Sequence, residues 1–443
     1  MIAKLSRIWQ TVNASYWFYP ALFSVGALLL ALFTITLDRG GYTAWMNDID
    51  WLQSARPSGA SNMLSVIAGS TIGVAATVFS ITIAAVAYAS GNYGPRLLTN
   101  FMENRGNQLS LATFIATFVY AITVLRVVRK PDEAPVFFQH STTPGFVPQL
   151  SLLLAFAFMG LSVMVLVYFL NHIPSSIRIN TVLEQIGQRL LRDIGTTFPD
   201  PDRGAVVLDE PGGRAVRADG VGYVQHIDFD RLRRIANTVG GRLQLGVRTG
   251  DFLHDGLPLA YWQDDDSIDD LRDKEIRECF VLAGLRTPAQ DLHFLIDELV
   301  EIGLRALSPG INDPFTAISA LHWLGAATAE LGRRDLSRKV DNLVDKDIEE
   351  DRLQLLDDDF RHFVQRGLGS MRSAVATSPN AALVAFSVIH GAAEVIDDAS
   401  RHHTLMQEGE QLIEQARIAL DGPDLAMVEA RYQSFHDKMV QIA

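Results

Sequence analysis

His293, Asp297 and Glu301 recur at four-residue intervals, and His322 follows on the next predicted helix. On a helix that spacing stacks one imidazole and two carboxylates along a single face, a donor set suited to a hard divalent metal. Polar i,i+4 pairs also arise readily on any solvated helix face. No His-Glu-x-x-His run, phosphate-cradling glycine loop, nucleophile elbow or cysteine pair accompanies the three. They stand as weak metal candidates only, and no cofactor is expected. Without a nucleophile–base pair, an enzyme has nothing to be built on. His402-His403 reads as a surface loop.

A second set of residues suits different chemistry. Between Ser61 and Gly94, alternating three- and four-residue steps select Ser70, Gly73, Thr77, Ser80, Ala84, Ala87 and Gly91. One helical face is therefore built from Gly, Ala, Ser and Thr. Small residues let helices approach closely and hydroxyls bond across the contact, so helix packing is the simpler reading. The sharper one is a pore lining, where hydroxyls replace part of an ion's hydration shell. The two are compatible, since a pore helix must also pack against neighbours.

The third set is Ser308-Pro309-Gly310-Ile311-Asn312-Asp313-Pro314. Ser308, Pro309 and Gly310 end one helix, and Asp313 and Pro314 begin the next as N-cap and first helical residue. A tight helix–turn–helix corner accounts for the motif. The alternative is a small-ion or anionic-ligand site at the following helix N-terminus, where free amides attract negative charge. Arg231, Arg233, Arg234, Arg242 and Arg248 also cluster in sequence, and read as a solvated face before an anion site.

The elements that must position these residues fall into two halves. Four apolar stretches, Tyr16–Leu37, Met63–Ala89, Gln108–Leu125 and Leu150–Leu170, contain no Asp, Glu, Lys, Arg or His. Each reaches the roughly 18–20 residues that cross a hydrocarbon core as a helix. Residues 1–173 therefore read as a polytopic membrane domain. The first stretch is too long for a cleaved signal and lacks a small-x-small site. Ionisable residues, which proton relays and coupled transport normally need, are absent from all four spans. Arg96 and Arg126 read as membrane-boundary residues, Arg126 as a snorkelling anchor. Seven basic residues flank the side carrying the termini and five the other, a bias that places both termini in the cytoplasm.

The remainder is water-compatible. Residues 174–203 look like an amphipathic connector, 204–263 like a small β-rich module, and 264–443 like a helical domain that stays helical to its end. In the module, Ala205–Leu208, Gly222–Ile227, Arg242–Val247 and Leu257–Trp262 are the expected strands, with a short helix capped by Asp228. The net charge of −13 sits mostly in this half, which argues against a nucleic-acid partner. One cysteine, Cys279, excludes an intramolecular disulfide. The fold class is mainly α: a four-helix membrane domain followed by a cytoplasmic α+β region.

Phe79-Ser80-Ile81-Thr82, the Gly94-Pro95-Arg96 turn and Phe114-Ile115-Ala116-Thr117-Phe118-Val119-Tyr120 together resemble a bacterial family of predicted membrane proteins, domain of unknown function 2254. Ala306-Leu307-Ser308-Pro309-Gly310-Ile311-Asn312-Asp313-Pro314-Phe315-Thr316-Ala317 matches that family's other hallmark. The family carries Ser-Pro-Arg where this chain has Gly94-Pro95-Arg96. The resemblance covers nearly the whole chain and implies an inner-membrane architecture but no activity. The residues lead to an oligomeric channel-like or passive transport protein with a cytoplasmic regulatory domain. The alternative is a membrane-anchored scaffold or ligand sensor without transport. The expected partners are the lipid bilayer and further copies of the chain.

Overall fold

The structure is a computed structural model that describes residues 16–42, 56–94, 105–129, 146–176, 178, 179–198, 212–239, 241–263, 270–336, 352–356 and 358–442. The chain divides into two compact units, Met1–Arg178 and Ile179–Ala443.

In the first unit α1 (Phe18–Arg39), α2 (Pro57–Tyr93), α3 (Arg105–Leu125) and α4 (Gln149–Ser176) are each long and apolar enough to cross a membrane. α2 and α4 run past the expected apolar stretches at both ends and α3 at its start, while α1 begins at Phe18, two residues inside its stretch, and continues to Arg39. α2 begins at Pro57, where a missing N–H costs nothing, and stops at Gly94, whose φ of 128° only glycine adopts readily. Its 37 residues measure about 55 Å, well beyond a hydrocarbon core of about 30 Å. Leu29, Phe33, Met164 and Val167 point outward and are exposed, as lipid-facing residues must be. Arg126 follows α3 in a turn and is exposed. Arg96 and the segment Leu97–Met102 lie outside the described residues.

The interior of this unit is mostly apolar and includes a polar knot. Ala27, Ala31, Leu64, Ile67, Ala121, Val124 and Ala155 pack together. Beside them Tyr120 shares a 3.0 Å hydrogen bond with Thr34, and the Ser151 hydroxyl donates to Asp38 at 2.8 Å. Asp38, at the end of α1, also accepts the Leu150 and Ser151 amides at 3.1 Å each. It caps the start of α4 from a different helix, satisfying amides that α4 cannot satisfy itself.

In the second unit α5 (Ile179–Thr197) buries Val182, Leu183, Ile186, Leu190 and Ile194. The segment 174–203, read as a connector, thus contributes a core helix. Gly187 lies against Trp323 so closely that a Cβ would come within 2.2 Å of the indole.

The β module holds β1 (Arg214–Arg217), β2 (Gly222–Ile227), α6 (Phe229–Val239), β3 (Arg242–Leu245), β4 (Phe252–Leu253) and β5 (Pro258–Gln263). Asp228 caps α6 by accepting the Arg231 amide at 3.0 Å. The expected strand Ala205–Leu208 lies outside the described residues. After α7 (Asp270–Arg277), however, β6 (Phe280–Ala283) pairs antiparallel with β2, and β7 (Leu353–Gln354) pairs parallel with β3. The expectation of helix to the chain end is corrected here. The sheets run β1-β5-β3-β7 and β4-β2-β6, and close on Val216, Leu232, Leu243, Trp262, Phe280 and Leu353. A four-residue apolar run such as Phe280–Ala283 carries no periodicity that separates strand from helix.

Helices α8 (Leu292–Ala306), α9 (Pro314–Gly332) and α10 (Phe360–Val364) follow, then a π-helical turn, Gln365–Gly369. α11 (Ser370–Val375), α12 (Pro379–Ala393), α13 (Ala399–Ala419) and α14 (Gly422–Ile442) complete the unit. α8 starts at Leu292, because Gln290 adopts φ 62° and Asp291 supplies the cap. His402 and His403 lie on α13, not in a loop; buried His402 bonds the carbonyls of Ala393 and Ile396 at 3.2 and 2.6 Å. Asp398 starts that helix by capping the Ser400 and Arg401 amides.

Candidate functional site

Ser70, Gly73, Thr77, Ser80 and Ala84 all point away from the other three helices and are exposed in the first unit. The opposite face of α2, with Leu64, Ile67, Ala68, Thr71, Ala75, Val78 and Val86, does the packing within the chain. No atom lies within 4 Å of where a Cβ on Gly69 or Gly73 would stand. Among the described residues, close packing inside one chain does not explain the stripe. Thr77 donates to the Gly73 carbonyl at 3.1 Å and Ser80 to Ala76 at 2.9 Å. Each hydroxyl hydrogen is thus spent on its own helix, leaving the oxygen lone pairs on an outward-facing surface.

The Ser308–Pro314 corner is stitched together from within. Ser308 Oγ donates to the Arg305 carbonyl at 2.6 Å, and the Asn312 and Asp313 amides reach the Ser308 and Ala306 carbonyls at 2.9 and 2.8 Å. Asn312 takes φ 50°, a left-handed conformation that asparagine tolerates better than most. Asp313 accepts from the Thr316 amide at 3.1 Å and its hydroxyl at 2.6 Å. Pro314 has no amide hydrogen, so the chain's own carboxylate occupies much of what an anion would use. Pro309 and Gly310 are exposed at the tip.

The metal candidates have another task. Both oxygens of Asp297 accept from arginines: Arg286 at 2.6 Å, and Arg366 in a two-pronged contact with both bonds at 2.7 Å. Arg286 also grips Asp291 at 2.7 and 3.0 Å. A carboxylate held by two guanidiniums has no oxygen to offer a cation. His293 is buried, stacks on Phe363 at 5.0 Å and meets His362 edge-on at 5.1 Å. Glu301 is half-buried a turn beyond Asp297, and His322 is exposed on α9. Among the described residues no group of three or more His, Cys, Asp or Glu side chains is placed to hold a metal ion.

This charged cluster escaped the sequence reading. Arg248, from the β module, meets Asp358 at 3.3 Å, and His293 lies 3.9 Å from the same carboxylate. The π turn places Arg366 on Asp297, an extra residue having widened the helix there. Gly250 has φ 92° and leaves room for Asp291, whose Oδ2 would lie 2.3 Å from an added Cβ. Burial pushes the Asp297 pKa up, but Arg366 and Arg286 outweigh it and hold the carboxyl below its usual range. The arginine groups searched for in sequence scatter: Arg231 pairs with Glu278 at 2.9 Å, while Arg233 is buried, against the solvated-face expectation.

His362, though exposed at the surface, has its pKa lowered, first by partial desolvation and then by His293, Arg366 and Arg248. A histidine less basic in the folded than in the unfolded chain stabilises the fold above its unfolded pKa and loses that contribution as pH falls. The melting temperature should therefore drop as pH is lowered through the usual histidine value of 6.5. His362→Gln should flatten the profile in thermal scans between pH 7.5 and 5; an unchanged slope would remove His362 from the account.

A family model described as "Predicted membrane protein (DUF2254)" matches residues 13–390, most of the chain. The chain belongs to this family. The DUF2254 match spans the four transmembrane helices, the β module and the charged cluster. Uncharacterized proteins of Mycobacterium bovis and Mycobacterium tuberculosis are each 29% identical to it over 296 residues, covering 64% of this chain and 54% of theirs. The chain thus spans about half the length of these relatives. No solved structure matches it significantly.

Proposed function

We propose that this DUF2254 protein is a homo-oligomeric, channel-like protein of the bacterial inner membrane, passing small ions passively along a path lined by α2. The second unit would serve as a cytoplasmic regulatory domain. The outward position of Ser70, Gly73, Thr77, Ser80 and Ala84 carries the reading. A surface of small side chains and hydroxyl lone pairs is poor contact for lipid tails but suits a symmetry axis where helices converge on water. Its acceptor character favours a cation. Spans without ionisable side chains fit passive flux better than proton-coupled transport.

Cross-linking tests the assembly. Thr77→Cys in native membranes should give an oxidised dimer, whereas Met164→Cys, on an outward position of α4, should not. The native thiol is no rival, because Cys279 is buried and burial pushes its pKa up to about 12. Equal or absent cross-linking at the two positions would contradict a shared α2 axis.

A further inference from the structure

The segment between β7 and α10 is pinned by charge from two other elements of the second unit. Buried Asp358 meets Arg248 of the β3–β4 loop at 3.3 Å, and His293 of α8 lies 3.9 Å from the same carboxylate oxygen. His362, one turn further along, meets His293 edge-on at 5.1 Å between ring centres. Around the two imidazoles Arg248, Arg286 and Arg366 pair with Asp358, Asp291 and Asp297. Among these described groups charge is balanced while both rings are neutral, and a proton added to either ring is uncompensated.

The charged and titratable groups acting on His362 are His293, Arg366, Arg248 and Asp358. On its own helix Asp359 caps the Arg361 amide at 3.0 Å. α9 and α13 reach α10 at Phe360, which faces Gly332 and lies under Arg401 at 5.4 Å. Glu330 of α9 is bound by Arg333 and Arg334, and α5 meets α10 through Phe198 on Phe363. A proton on His362 thus faces two guanidiniums and one carboxylate that Arg248 already engages.

We propose that this cluster is a pH-sensitive latch: with the imidazoles neutral it holds the β7–α10 segment between Arg248 and His293, and a proton taken up at His362 releases that segment. His362 is exposed, so the proton arrives from solvent. Its surroundings make it less basic than usual, so closure is favoured above the ordinary value of 6.5 and is lost as pH falls below it. Little backbone pairing opposes the release, since β7 offers β3 only Leu353 and Gln354 and the Arg352 carbonyl. The β3–β4 loop stays in place, because neutral groups hold it. The Thr249 hydroxyl donates to the Gln290 carbonyl, and the Gly250 amide to the Val224 carbonyl at 2.8 Å. The Gln290 side chain in turn bonds both backbone groups of Ile227 at 3.1 and 3.3 Å. The latch lies wholly within the second unit and stands apart from the channel reading.

Hydrogen exchange of the full-length protein in nanodiscs, read by mass spectrometry at pH 7.5 and 5.5 and corrected for intrinsic rates, provides the test. Peptides covering 352–364 should exchange several-fold faster at the lower pH. Peptides covering 246–253 and α12 should not change. His362→Gln, neutral at both pH values, should abolish the difference. Equal protection of 352–364 in the native protein at the two pH values would overturn the latch. A loss that spreads equally to α12 would overturn it as well, showing general unfolding, as would a response that survives in His362→Gln.

Discussion

Asp297→Ala should destabilise the second unit by about 2–3 kcal/mol, less than the loss of a partner from a fully buried ion pair, because the cluster is only partly buried. Arg286 and Arg366 would lose a carboxylate whose bonds to them are all 2.6–2.7 Å long. Arg286 would keep Asp291, but Arg366 would be left a charge on the π turn without that anchor. The melting temperature of the purified protein should fall by about 5–10 °C. Arg366→Met combined with Asp297→Ala should recover much of the loss, because replacing both partners by apolar groups removes the stranded charge. A shift of Asp297→Ala within a degree or two would mean that water already screens the cluster.

Gly250→Ala should rank next. At φ 92° an alanine costs about 1–3 kcal/mol in backbone strain alone, and its Cβ would stand 2.3 Å from Asp291 Oδ2. Asp291 caps α8 through the Phe294 amide at 3.1 Å and holds Arg286, so it cannot retreat without loosening both. Gly256→Ala is the matched control: its φ of 84° imposes similar strain, but nothing lies within 4 Å of the added Cβ. The difference between the two thermal shifts isolates the collision with Asp291. Equal shifts would reduce the role of Gly250 to its φ.

The membrane half was legible in the sequence because its physics is one-dimensional: a hydrocarbon layer fixes both length and composition of whatever crosses it. Caps were legible for a similar reason, since Asp228, Asp313 and Pro314 act within three residues of their own position. The β module was legible only in part. β7 joins β3 in parallel from more than a hundred residues away, and two residues of strand leave no pattern to read. The charged cluster was misread because Asp297 appeared next to His293 and Glu301 along one helix. Its actual partners, Arg286 and Arg366, lie 11 and 69 residues distant. Spacing places groups on a face; it does not say what that face meets. The α2 stripe is the converse case. Sequence found its members, and only the fold showed that Leu64, Ile67 and Val78 pack while the stripe points outward.

The most direct measurement of the central claim is ionic conductance of the purified protein in planar bilayers, with Gly73→Leu and Thr77→Leu beside the native chain. The account predicts discrete unitary currents from the native protein. Both substitutions should reduce or abolish them while the assembled protein stays intact on size-exclusion chromatography, because each places an isobutyl group on the exposed face of α2. Silent bilayers from folded native protein across salts and voltages, or currents that neither substitution alters, would contradict a path lined by that face.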